Sequence, residues 1–371
     1  MLGSETLWER VAGCLHGLLI GDAMGWPVEG WTAAQIATEF GRLDRMVAAP
    51  SHRWRPIGLH SDDGQQALAV LDAICADPEQ PERPFAELMV KLRDAAPQRA
   101  GRFGLHRGAG RNFRHTVRSM QAMGFEDPHA HATPSAGNAA AMRVAPVALW
   151  WRDVPAKLTR RVVQRSAVTH SDLRGITGAL ALALAIEQAL VPKPPPVLTH
   201  RFSETIARAE TRAAEQLGRS PDTRFSQLVT ALVDQRRYAY HLEDVLAGIA
   251  ERARTIGGAA HEVEATSGFA GSSVLTALAI ADFSTSVEEA IVTAVNLGGD
   301  TDTIAAMAGA LAGARFGFSA IPTRGLDDLC ATGSLVERIE KVVALETGEC
   351  RPDLVTLETR WDDQCVDRPL T

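Results

Sequence analysis

The sequence predicts an all-α protein, and three observations carry that prediction. No strand–helix–strand alternation runs through the 371 residues, and hairpin signals are nearly absent. Apolar residues recur at the helical period in one segment after another. Several of these segments are rich in Ala, Gly and Leu, a composition suited to closely packed helices. No repeat of fixed period is present. Charged residues at 22% and hydrophobic residues at 46% are those of an ordinary soluble globular chain. We expect one domain over residues 1–350 and a polar tail over 351–371, to which no element is assigned.

The elements follow in order. Leu7, Val11, Leu15, Leu18 and Leu19 make a first helical stripe to Ile20, with Ser4 or Thr6 as its cap. GDAMGWPVEG, residues 21–30, is then expected to break into a loop displaying Asp22 and Glu29. Ala67, Leu68, Leu71 and Ile74 place a helix over 65–75, and the prolines of 77–84 mark a connection. RFGLHRGAGRNFRHT, 102–116, reads as a glycine-rich basic loop able to face phosphates or simply solvent. His129 and His131 lie in a Pro/Asp/Ser-rich loop without the Cys or acidic partners of a zinc site, so they are not taken as ligands.

Ser135, Gly137 and Asn138 run straight into a small-residue helix, an arrangement in which backbone N–H groups can receive a phosphate. His170 precedes a long apolar helix, Ile176–Leu190, and fits a structural as well as a functional role. LVPKPPPVL, 190–198, is a stiff crossing within one domain. Amphipathic helices are expected at about 202–217, 224–235 and 242–254, and a buried one over Ser273–Ile280. Thr285 with Glu288, or Ser286 with Glu289, forms a capping box for the helix that leads to Gly298. A last helix is expected over 335–346.

The formal net charge of −7 argues against a protein that coats nucleic acid or anionic membrane, so neither is expected as a partner. No apolar run reaches the ~18 residues of a membrane span. The N-terminal residues lack a basic segment followed by an apolar core, and the five cysteines show no disulfide or zinc spacing. The expected setting is the cytoplasm.

The chemistry concentrates in two acidic pairs, Asp62-Asp63 and Asp300-Asp302, each just before a helix. Gly298 and Gly299 can take the left-handed turn that ends the preceding helix, and Asp302 or Thr303 can cap the next. Either pair alone fits a helix cap with a solvated neighbour as well as it fits a ligand set. Together with the hydroxyls of Ser61, Thr301 and Thr303 they form an oxygen-only set that suits Mg²⁺, Mn²⁺ or Ca²⁺. Four carboxylates in one place repel unless cations lie among them, and two divalent ions about 3.5–4 Å apart are a natural solution.

GDAMGWPVEG, SDDGQQALAVLDAI, RGAG, SAGNAAAMRVAPVAL, THSD and NLGGDTDTIAAMAGALAGARFG, in this order over residues 11–317, resemble the ADP-ribosylglycohydrolase family, which includes dinitrogenase reductase-activating glycohydrolase and the ADP-ribosylhydrolases. The resemblance implies a compact, orthogonally packed helical bundle with a binuclear Mg²⁺ or Mn²⁺ site. It sets Ser61, Asp62 and Asp63 on the family's Thr-Asp-Asp ligands, and Asp300, Asp302 and Thr303 on its Asp-x-Asp-Thr/Ser ligands. Glu29 falls on an acidic first-loop residue that assists catalysis or responds to substrate. Ser135, Gly137 and Asn138 fall on the segment that cradles the phosphates and ribose, and His170 on a residue lining that cleft. Ser61 replaces a threonine, Gly64 stands where a second threonine is common, and Ala139 replaces a frequent glycine.

The implied activity is hydrolysis of the bond between the anomeric carbon of ADP-ribose and a modified side chain or other conjugate, by attack of metal-activated water. Asp302 is then the bridging ligand and base, and Glu29 the acid–base or gate residue. An ADP-ribosylated protein is the expected partner. A non-catalytic ADP-ribose binder and a metal-dependent phosphohydrolase are the rival readings.

Overall fold

The computed structural model describes residues 3–50, 55–96 and 103–365; Met1, Arg102 and residues 366–371, which enter the sequence expectations above, lie outside them. Among the described residues there are eighteen α-helices and no strand, so the fold is all-α. The helices expected near 202–217, 224–235 and 242–254 are His200–Gln216, Arg224–Arg236 and Leu242–Thr255. The prolines of the crossing at 191–199 leave it without helix, and Asp282 Oδ1 accepts from the N–H groups of Val197, at 2.7 Å, and Leu198, at 3.4 Å.

Two helices at the centre, Ser4–Gly25 and Thr301–Phe316, set the position of the site. The first carries a glycine every fourth residue from Gly13 to Gly25, and positions four apart share one helix face. On that face the two backbones touch. A Cβ placed on Gly17 would lie 2.2 Å from the Gly309 carbonyl oxygen, and one on Gly13 2.4 Å from that of Gly313. No side chain fits there. The contact continues to the end of the helix, where Thr301 Oγ1 donates to the Gly25 carbonyl at 2.8 Å. The helices Val287–Asn296, Ala270–Phe283 and Leu173–Ala189 pack around this pair, and residues 301–314 are buried throughout.

The helix expected over 65–75 spans Asp62–Ala76, three residues longer at its start because Ser61 caps it. Its body is tied to the Thr332–Ala344 helix by the fully buried Arg338, which donates to Asp72 at 2.7 and 2.8 Å. The first helix also runs further than expected. It continues through Asp22 to Gly25, because Gly21 and Gly25 serve close packing there and do not break the chain. Residues 111–116, expected as loop, open the helix Arg111–Met123.

Candidate active site

Asp22 is therefore buried on a helix, with no exposure, and not displayed on a loop. Its Oδ1 accepts from the Ser61 N–H at 2.8 Å and its Oδ2 from the Gly64 N–H at 2.6 Å. Those N–H groups belong to the start of the Asp62–Ala76 helix, where they have no partner within the helix. Asp22 thus caps its neighbour from outside, and the Ser61 hydroxyl accepts from the Asp63 N–H at 3.2 Å. Gly64 faces this cap: a Cβ there would sit 2.5 Å from Leu19 Cδ2 and 3.0 Å from Asp22 Oδ2. Gly64 thus packs against this cap, directly after Asp63, and is not itself among the residues that line the cavity described below.

The second acidic pair is set by a turn in which Gly298 and Gly299 take φ of 73° and 78°, as expected for the end of the Val287–Asn296 helix. Asp300 takes the N-cap position, whereas the expected caps, Asp302 and Thr303, lie inside the first turn. Asp302 Oδ1 accepts from the Thr303 N–H at 2.9 Å, and the Thr303 side chain stands beside Asp63 and Asp300, lowering both carboxyls against burial. Thr301, counted among the oxygen donors, has turned to Gly25 instead.

The two pairs meet. Asp62, Asp63, Asp300, Asp302 and Thr303 line one cavity of about 340 Å³, with Glu29 at its rim. One carboxylate oxygen each from Glu29, Asp300 and Asp302 lie within 4.8 Å of one another. Glu29 is exposed at the rim, yet partial loss of water around its carboxyl, then Asp300 and Asp22, push it up to about 7, against Arg55. Burial, then Asp22 and Glu29, raise Asp62 to about 8, and burial with neighbouring carboxylates raises Asp63 and Asp302 as well. So much negative charge in a buried place calls for cations. The residues fit them: the donors are all hard oxygens, and Asp63 Oδ1 is buried with no hydrogen-bond partner.

Ser135, Gly137, Asn138 and His170 line the same cavity. The expected phosphate-receiving turn is partly committed to its own chain, since the Gly137 N–H donates to Ser135 Oγ at 3.2 Å and the Asn138 N–H to the Gly268 carbonyl at 3.0 Å. The helix that follows is only Ala139–Met142. The Asn138 side-chain amide donates to Asp300 Oδ2 at 2.6 Å, which joins this wall to the acids. His170 Nδ1 lies 2.7 Å from Thr169 Oγ1, while its Nε2 is buried without a partner. Burial, then Arg143, push the imidazole down to about 3, against Asp172. Gly108, Gly110 and Arg111 of the glycine-rich basic segment also reach the cavity. His131 is spent on a bond to Ser119 Oγ at 2.9 Å.

Arg143 is the residue that sequence reasoning passed over. It is 3% exposed, lines the cavity, and donates to both Gln66 Oε1 and Thr169 Oγ1. Gln66 Nε2 in turn donates to Asp62 Oδ2 at 2.8 Å. One unbroken chain of hydrogen bonds therefore runs from Asp62 to His170. A lone arginine inside the apolar run AAAMRVAPVALWW was the available signal, because a buried guanidinium needs partners.

Beyond the rim lies an open groove of about 710 Å³, lined by Trp31, Glu264 and Thr266 and sharing Glu29 and Asp300 with the cavity. An acidic cavity joined to a more open groove through two carboxylates suits a substrate cut at the junction. The profile of the ADP-ribosylglycohydrolase family matches residues 3–354. The chain belongs to that family. ADP-ribosylhydrolase ARH3 of Homo sapiens is 26% identical over 349 residues, 86% of this chain and 89% of that protein. ADP-ribosyl-[dinitrogen reductase] glycohydrolase of Rhodospirillum rubrum is 25% identical over 327 residues, 87% of this chain and 91% of the relative. A solved structure described as an ADP-ribosylglycohydrolase-related protein complex superposes with a TM-score of 0.63 at 25% identity, covering 92% of this chain and 98% of its own. Membership in the ADP-ribosylglycohydrolase family supports an ADP-ribosyl hydrolase activity. Among the described residues, no helix is long and apolar enough to cross a membrane.

Proposed function

We propose that the protein hydrolyses the glycosidic bond between the anomeric ribose carbon of ADP-ribose and a modified protein side chain. The observation that carries this reading is the convergence of Glu29, Asp300 and Asp302 where the acidic cavity meets the more open groove. The cavity takes the ADP-ribosyl group, held by Ser135, Gly137, Asn138 and His170, and the groove takes the leaving side chain. Asp62, Asp63, Asp300 and Asp302, with Ser61 and Thr303, would hold two divalent cations, Mg²⁺ or Mn²⁺. Such cations, when bound, offset the crowded negative charge and make water more acidic.

Asp302 is the base that takes the proton of the attacking water. Its orientation by the Thr303 N–H supports that role. Glu29, at the rim, is the acid–base or gate residue. The positive charge that develops on the ribose ring is stabilised by the surrounding carboxylates. All five cysteines are thiols, in keeping with a cytoplasmic setting.

The test is Asp302→Asn, assayed for release of ADP-ribose from ADP-ribosylarginine and ADP-ribosylserine peptides with Mg²⁺ and with Mn²⁺. Turnover falls by about three orders of magnitude or more while the circular dichroism spectrum is unchanged. Near-wild-type turnover in that variant overturns the assignment. AMP as the product would make the protein a phosphohydrolase, and ADP-ribose binding without turnover of any linkage would make it a binder.

A further inference from the structure

The family match ends at residue 354, where the helix Leu354–Asp363 begins. This helix lies within the stretch that the sequence left as polar tail, yet it buries Leu354, Leu357, Glu358 and Trp361. Glu358 has no exposure and Trp361 only 5%. Glu358 Oε2 accepts from Arg107 Nη1, and Glu358 Oε1 lies 3.1 Å from His60 Nε2. Arg107 also donates through Nε to the His60 carbonyl at 3.1 Å, and the Trp361 ring meets the His60 ring edge-on at 5.1 Å. Burial alone would raise the Glu358 carboxyl, but Arg107 and His60 outweigh it and hold it at about 2.

Both partners stand within two residues of the cavity wall. His60 precedes Ser61 and Asp62, and its segment is held on the other side by Asp22. Arg107 precedes Gly108, whose φ of 74° brings the backbone against the acids. A Cβ on Gly108 would lie 2.9 Å from Asp62 Oδ1, so no side chain separates that backbone from the carboxylate.

We propose that Glu358 is a positioning residue: through Arg107 and His60, the helix beyond the family region sets the distance between Asp62 and Gly108 on the cavity wall. A buried ion pair is a poor device for stability, since apolar residues of the same volume do as well or better. It is a good device for geometry, because the forked guanidinium accepts few arrangements of its partners. The inference rests on the reading of Asp62 as part of the catalytic centre.

The test uses the full chain with two variants, Glu358→Gln and the double change Arg107→Met with Glu358→Leu, which strands no buried charge. Hydrogen exchange of residues 59–63 and 105–110 is followed together with steady-state kinetics and melting temperature. The double variant is expected to melt within a few degrees of wild type, to exchange at least about tenfold faster in both segments, and to lose about tenfold or more in kcat with KM changed less than about threefold. Glu358→Gln, which keeps one acceptor and the volume but strands the Arg107 charge, is expected to melt below both and to lie between wild type and the double variant in exchange and kcat. A purely structural role predicts the reverse, with kcat following melting temperature and recovered in the double variant, and that result overturns the proposal. So does unchanged exchange in both segments. If wild type turns over no ADP-ribosyl linkage, the proposed function falls and the exchange result alone decides the role of Glu358.

Discussion

The side-chain amide of Asn138 donates at once to Asp300 Oδ2, at 2.6 Å, and to Ser273 Oγ, at 3.0 Å. The carboxylate proposed to hold a cation is thus oriented by a residue of another segment, itself fixed by the Ala270–Phe283 helix. Asn138→Ala is expected to lower turnover by about 10–100-fold, the usual effect of removing a partner that orients a ligand. Steady-state kinetics across a titration of Mg²⁺ or Mn²⁺ checks it, with a higher cation requirement expected in the variant.

The backbone contact between the two central helices gives a stability prediction with an internal control. Gly17→Ala puts a methyl group 2.2 Å from the Gly309 carbonyl, and the helices must separate to admit it. The expected loss is about 3 kcal/mol, at the upper end of overpacking effects. Gly333→Ala, early in a helix where nothing lies within 4 Å, is expected to be neutral or to stabilise by about 0.5 kcal/mol. Urea unfolding of the two variants separates these outcomes.

Glu210 gives a pH dependence independent of the active site. It is fully buried on the His200–Gln216 helix, accepts from the Ser226 N–H at 3.3 Å, and is raised by burial from 4.5 to about 7. The unfolded chain loses this proton near 4.5 and the folded chain near 7, so the folded state binds more protons between them. Stability therefore falls as pH rises through that window, by up to about 3 kcal/mol. Glu210→Gln removes the penalty and is expected to raise the melting temperature at pH 8 by more than at pH 5. Equal shifts at the two values would contradict this.

Arg143 bridges Gln66 and Thr169 with two different nitrogens. Lysine has a single donor centre and cannot reproduce that fork. Arg143→Lys is therefore expected to reduce kcat/KM about tenfold, with His170 and Asp62 no longer held by one chain of bonds. Burial, then Arg165, hold the guanidinium down at about 9, against Asp62 and Asp63, so it remains cationic at neutral pH.

The helices were readable in the sequence wherever apolar residues follow the helical period, as in His200–Gln216 and Val287–Asn296, the latter capped by Ser286 and Glu289. Their ends were less readable. Gly21 and Gly25 are glycines that a single sequence marks as breaks, and only the neighbouring helix reveals that they clear space for it. The acidic pairs were visible because carboxylates at two helix starts are costly to gather without a purpose. Asp22 and Arg143 were not visible as partners of the site, since their bonds cross 42 and 77 residues of chain. The Leu354–Asp363 helix was missed because its exposed side chains are polar and Glu358 looks like any surface acid until Arg107 arrives beside it.

Gly64, met first as a departure from the family pattern, has a consequence for the packing beside Asp22. Leu19 Cδ2 and Asp22 Oδ2 already occupy the space a side chain at 64 would fill. A side chain at 64 would turn the flexible end of Leu19 aside, and its Cβ would also stand 3.0 Å from both Asp22 Oδ2 and His60 Cβ, atoms held at the start of the neighbouring helix. The glycine thus keeps clear the place where Asp22 reaches across to close the first turn of that helix.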